Sequence, residues 1–91
     1  MNKVQGDVKS KVKKMEITVI FFGVLAEVTG LHRKHYRDIK SFVDLKHRIE
    51  DDFPEIVHYN FRMAVNNKIV NEESLLSHGD EIAYLPPFAG G

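Results

Sequence analysis

Between Ser41 and Phe53 one segment has the period of a helix with a single apolar side. Phe42, Leu45, Ile49 and Phe53 form the stripe, while Lys46, Arg48, Glu50 and Asp51 lie off it. Ser41 and Asp44 predict a capping box, the serine accepting from an orphan amide and the carboxylate returning to the cap. Pro54 disfavours helical geometry at Phe53 and ends the run. One helix with one apolar stripe cannot make a bundle, so something else must cover it.

The segments around it supply that cover. Met15 to Phe22 alternates, with Ile17, Val19 and Phe21 on one side and Glu16 and Thr18 on the other. Ile20 and Phe22 interrupt the polar side, so that side is expected to be partly covered. Val24 to Thr29, bounded by Gly23 and Gly30, fits about one and a half helical turns. Leu31 to Lys40 is polar and weakly alternating, which suits a solvent-facing edge strand. Phe61 to Val65 alternates again, with Phe61, Met63 and Val65 on one face. Asn66-Asn67 predicts a tight turn, because asparagine tolerates positive φ, and Lys68 to Val70 a short return strand. His78-Gly79-Asp80 turns the chain into a last strand, Glu81 to Leu85. A single sheet with the long helix packed across it is an α+β roll.

With 91 residues the chain fits one small domain. The first fourteen residues carry Lys3, Lys9, Lys11, Lys13 and Lys14 against Asp7. Taking these from totals of 13 basic and 13 acidic residues leaves 8 and 12, a net of −4 for residues 15–91. Residues 1–14 are read as a basic, flexible, solvated extension. They lack the apolar centre of a signal peptide, and no aromatic or arginine is interleaved as a nucleic-acid arm would need. No nucleic-acid partner is expected. No apolar run approaches the roughly 20 residues of a membrane span, so no membrane partner is expected either. There is no cysteine, which excludes disulfides, thiolate metal sites and cysteine nucleophiles. That composition is compatible with a reducing cytoplasm, the expected location.

Side-chain chemistry is sparse. His32, His35, His47, His58 and His78 show no metal-ligand spacing, and no metal site is expected. Glu50-Asp51-Asp52, Glu72-Glu73 and Asp80-Glu81 are adjacent residues, which point apart and read as solvated faces. No phosphate-binding loop or nucleophile elbow is present. The distinctive feature is the ending, YLPPFAGG. Pro86 and Pro87 fix φ and favour an extended path. The six residues from Pro86 to Gly91 reach about 20 Å at most. Gly90 and Gly91 lack Cβ and can thread a channel too narrow for other residues. The tail can thus present the Gly91 carboxylate inside another protein, where it becomes reactive once activated as an acyl-adenylate.

These features together resemble the ubiquitin-like β-grasp sulfur carriers, in particular the small subunits of molybdopterin synthase. The resemblance covers Met15 to Gly91 and rests on FFGVLAEVTG, AVNNKIV, LLSHGDEIAYLPP and FAGG. It implies a mixed sheet of about five strands with one main helix packed across it, over residues 15–91, with a flexible tail at 86–91. It implies that an adenylyltransferase resembling ubiquitin-activating enzymes spends ATP to adenylate Gly91, with no cofactor held permanently. A persulfide donor then supplies sulfur, leaving a thiocarboxylate. The tail enters the synthase large subunit and donates sulfur to cyclic pyranopterin monophosphate, forming the molybdopterin dithiolene of the molybdenum cofactor. The chain acts as the sulfur-donor subunit of a sulfurtransferase, the catalytic side chains belonging to the large subunit. Gly91 is then the reactive terminus and Gly90 its narrow neighbour. Pro86, Pro87, Phe88 and Ala89 form the inserted strap, and Leu85, Phe88 and Phe22 an apolar docking surface. For Phe22 a place in the core is the competing expectation, since aromatics are usually buried. The alternatives are a thiamine-pathway sulfur carrier, which shares the fold and the ending, and a ubiquitin-like modifier using the same adenylate.

Overall fold

The computed structural model describes residues 14–71 and 74–87. The order is β1 (Met15–Phe21), α1 (Val24–Thr29), β2 (Arg33–Ile39), α2 (Phe42–Asp52), a 3-10 turn (Pro54–His58), β3 (Arg62–Val65), β4 (Lys68–Val70) and β5 (Glu81–Leu85). The five strands form one mixed sheet in the order β2-β1-β5-β3-β4. β1 and β5 run parallel at its centre, and the other neighbours are antiparallel. A parallel pair needs a long crossover, and here nearly the whole intervening chain provides it. This is the β-grasp fold.

One face of the sheet is closed by α2. Ile17, Val19 and Phe21 of β1, with Ile82 and Tyr84 of β5, are buried against Phe42, Leu45 and Ile49 of the helix. Each large aliphatic buried in this way contributes roughly 1.5–3 kcal/mol. Phe53, just past the helix, is half-buried and meets Phe21 edge-on at 5.7 Å. Phe61 precedes β3 rather than lying within it, and still keeps the side expected of it, stacked on Tyr84 at 4.6 Å.

The cap differs from expectation by one residue. The Ser41 hydroxyl accepts from the Asp44 amide at 3.1 Å, as predicted. The Asp44 carboxylate, however, accepts from the amide of Lys40 at 2.9 Å, one position before the cap. Ser41 is fully extended (φ −162°, ψ 173°), and the Lys40 amide, not that of Ser41, is the one within reach.

β2 is the charged edge strand that its sequence suggested, but it does not alternate strictly. Tyr36 and Ile39 are both buried although three residues apart. A register shift against β1 between Met15 and Ile17, with Asp38 in the left-handed region (φ 59°), absorbs the extra residue. The β3–β4 turn follows the sequence: Asn66 and Asn67 have φ of 52° and 70°, the pair a tight two-residue hairpin requires.

Candidate functional site

The site is the root of the C-terminal segment and the sheet face beside it. β5 ends at Leu85, and Pro86 and Pro87 follow. The ladder continues one step past β1, where the Phe22 amide donates to the Tyr84 carbonyl at 3.1 Å. Pro86 lies against Gly23, and a Cβ built there would meet Pro86 Cγ at 3.0 Å. Gly23 also adopts φ 56°, ψ −134°, a region open only to glycine. Beneath, the rings of Phe21, Phe53, Phe61 and Tyr84 form a continuous aromatic cluster. Pro86 is thereby held against Gly23 where β5 ends.

Phe22 is 45% exposed, and the expectation of a core position is overturned. Alternation carried one residue beyond β1 places it with Glu16, Thr18 and Ile20, on the face away from α2. Register explains what else shares that face. Across the sheet, Ile20 stands opposite Ala83, Ala83 opposite Ala64, and Ala64 opposite Ile69. Two alanines between two isoleucines leave a hollow. It forms a pocket of about 520 Å³, with Phe22 and Leu85 at the tail end and Asn66, Asn67 and Glu81 at the other. Ile69 is 57% exposed, although isoleucine is usually buried.

Of the residues expected at the site, Leu85, Pro86, Pro87 and Phe22 are brought together here. Phe88, Ala89, Gly90 and Gly91 lie outside the described residues, as do residues 1–13. Sequence reasoning missed Ile20, Ala64, Ile69 and Ala83. The available signal was the alanine-for-branched-residue choice at strand positions, which means little without the strand order.

At the opposite end of β1, polar groups brace the turn before β5. His35 Nε2 lies 3.0 Å from the Glu16 carboxylate and its Nδ1 3.1 Å from the Thr18 hydroxyl. The Glu16 amide donates to His78 Nδ1 at 3.1 Å, and the Gly79 amide to the Glu16 carbonyl at 2.8 Å. The hydrogen bond from His35 holds the Glu16 carboxyl below its ordinary 4.5, with Arg37 and the two histidines adding to it. On the helix side the buried Tyr36 hydroxyl donates to Asp52 at 2.8 Å. Burial, then this carboxylate, pushes the phenol well above its usual range. These groups are structural braces, and among the described residues no three histidines or acids converge as metal ligands. No helix among the described residues is long and apolar enough to cross a membrane.

Residues 19–91 match the model of the ThiS family. The chain is 26% identical over 82 residues to the molybdopterin synthase sulfur carrier subunit of Mycobacterium tuberculosis (strain ATCC 25618 / H37Rv), an overlap of 85% of this chain and 99% of that one. Its fold is similar to the small archaeal modifier protein 1 of Methanosarcina acetivorans (TM-score 0.74, 22% identity, 87% of this chain and 99% of that). It is also similar to a chain in the complex of subunits 1 and 2 of the molybdopterin-converting factor from Helicobacter pylori 26695 (TM-score 0.65, 24% identity, 85% of this chain and 100% of that). These matches agree with the resemblance and with the β-grasp architecture expected from it.

Proposed function

Because this chain belongs to the ThiS family, we propose that it is the sulfur-carrying small subunit of molybdopterin synthase. The observation that carries the reading is Pro86 seated on Gly23 beside an apolar groove that the described residues leave open, followed in sequence by Phe88, Ala89, Gly90 and Gly91. A partner that seats an apolar side chain between Ile20 and Ile69 is held in register with the strap that starts at Pro86. The likeness to the Mycobacterium tuberculosis carrier subunit over nearly its whole length supports the same reading.

The chemistry belongs to the main-chain terminus. An adenylyltransferase transfers AMP from ATP to the Gly91 carboxylate, releasing pyrophosphate. Persulfide sulfur attacks the acyl-adenylate and displaces AMP, giving an acyl disulfide. A thiol then cleaves the S–S bond, taking the donor's remaining sulfur into a disulfide and leaving the thiocarboxylate on Gly91. The large subunit receives the strap and directs that sulfur to cyclic pyranopterin monophosphate. The small chain contributes reach, a narrow Gly-Gly end and docking area, and no general acid or base. That division fits a body in which His35, His78, Glu16 and Asp52 are engaged in hydrogen bonds within the fold.

Deleting Gly91 is the direct test. The truncated protein keeps its fold, because the buried cluster of the described residues runs from Met15 to Tyr84, and supports no dithiolene formation with purified partners. Undiminished dithiolene formation overturns the reading. A second reading, a ubiquitin-like modifier, is favoured by the fold shared with small archaeal modifier proteins. It predicts higher-mass adducts joined through lysine isopeptide bonds, which the carrier reading does not.

A further inference from the structure

Arg62 opens β3 and stands in register with Leu85, the last residue before the tail. It points to the same face as Ala64, two residues on, and therefore to the groove side of the sheet. It is exposed, and among the described residues its side chain has no ion pair and no aromatic partner. Arg33, by contrast, reaches Glu81 at 3.4 Å, and Arg48 lies over the Tyr36 ring at 5.7 Å.

The geometry points to Arg62 as the residue that reads a carboxylate on the rim of the large subunit, next to the apolar side chain that enters the groove. This rests on the reading that the tail is taken up by that subunit. Neighbouring strands lie about 4.8 Å apart, so a surface that closes around Leu85 and Pro86 also covers Arg62. Covering a guanidinium without an acceptor is strongly unfavourable. A rim that is neutral or basic at this point is therefore rejected, and one carrying aspartate or glutamate is accepted. The planar fork favours a carboxylate held by two hydrogen bonds, which fixes angle as well as contact. Phe22 and the groove supply apolar area on one side of the tail root and Arg62 supplies charge on the other. Together they set the orientation in which the strap is offered.

The test measures affinity of the full-length chain for purified large subunit at low and high salt, with Arg62→Lys, Arg62→Ala and Arg62→Glu. Denaturation midpoints of all three match the wild type, because Arg62 is exposed and has no ion pair or aromatic partner among the described residues. Arg62→Glu is expected to weaken binding about 30-fold or more, Arg62→Ala less, and Arg62→Lys least. The Arg62→Glu penalty shrinks at high salt, as screening dictates. If all variants bind as the wild type does, the inference fails while the proposed function stands. If Arg62→Glu weakens binding but Arg62→Ala does not, Arg62 supplies no attraction and the inference also fails. If the wild-type chain does not bind the large subunit at all, the inference and the proposed function fall together.

Discussion

The two faces of one sheet are built from the same strands, yet they have opposite fates. On the α2 side, Ile17, Val19, Phe21, Ile82 and Tyr84 are fully covered within the chain. On the other side, Ile20, Phe22, Ile69 and Leu85 surround a hollow floored by Ala64 and Ala83. Both faces hold apolar side chains, so hydrophobicity alone does not tell them apart. What separates them is whether the described residues provide a cover. The covered face is where stability resides. The face left open by the described residues keeps apolar area available, which under the proposed function is where the partner docks.

The sharpest way to break this contrast is to truncate one residue on each face. Leu45→Ala removes a side chain that is completely buried and should cost about 2–5 kcal/mol in urea denaturation. Ile69→Ala, more than half exposed, should stay within about 0.5 kcal/mol of the wild type. Ile69→Ala should nonetheless weaken the large-subunit complex, whereas loss of binding by Leu45→Ala should track loss of fold. Equal stability losses at the two sites would erase the distinction between the faces.

A smaller effect sharpens the covered side. Ser41→Ala removes the acceptor for the Asp44 amide and should cost about 1 kcal/mol, without altering partner affinity. The smallest effects come from titration. Glu16 is depressed below 4.5 chiefly by His35, so its contribution is present above that pH and is lost as the pH falls through the folded-state value. His35→Ala should reduce this acid-side dependence, leaving the smaller contributions of Arg37 and His78. Tyr36 is raised instead, so its contribution is intact below about pH 10 and is lost as the pH rises beyond it. Tyr36→Phe should flatten the alkaline limb of a stability profile.

The covered face was largely legible in the sequence, because it depends on local period. The stripe of Phe42, Leu45 and Ile49, the alternation of β1 and the Asn66-Asn67 turn are all properties of a few consecutive residues. The open face was not, because it depends on pairing between distant strands. Nothing near Ala64 indicates that Ala83 will stand beside it, or that Ile20 and Ile69 will wall them in. Phe22 misled for the same reason: an aromatic next to Phe21 suggests core until the alternation of β1 is followed past the strand end. The bulge at Asp38 and the return of Asp44 to Lys40 are one-residue adjustments that sequence period does not resolve. The Pro-Pro and Gly-Gly ending is a property of the sequence alone, and its last four residues lie outside the described ones.

The central claim is that this body exists to present the acyl group of Gly91. Intact mass spectrometry of the purified chain tests it most directly, after incubation with its adenylyltransferase, ATP, a persulfide donor and a thiol reductant. The expected product has one oxygen replaced by sulfur, and fragmentation places that sulfur at Gly91. An unchanged mass, or sulfur found anywhere else in the chain, contradicts it.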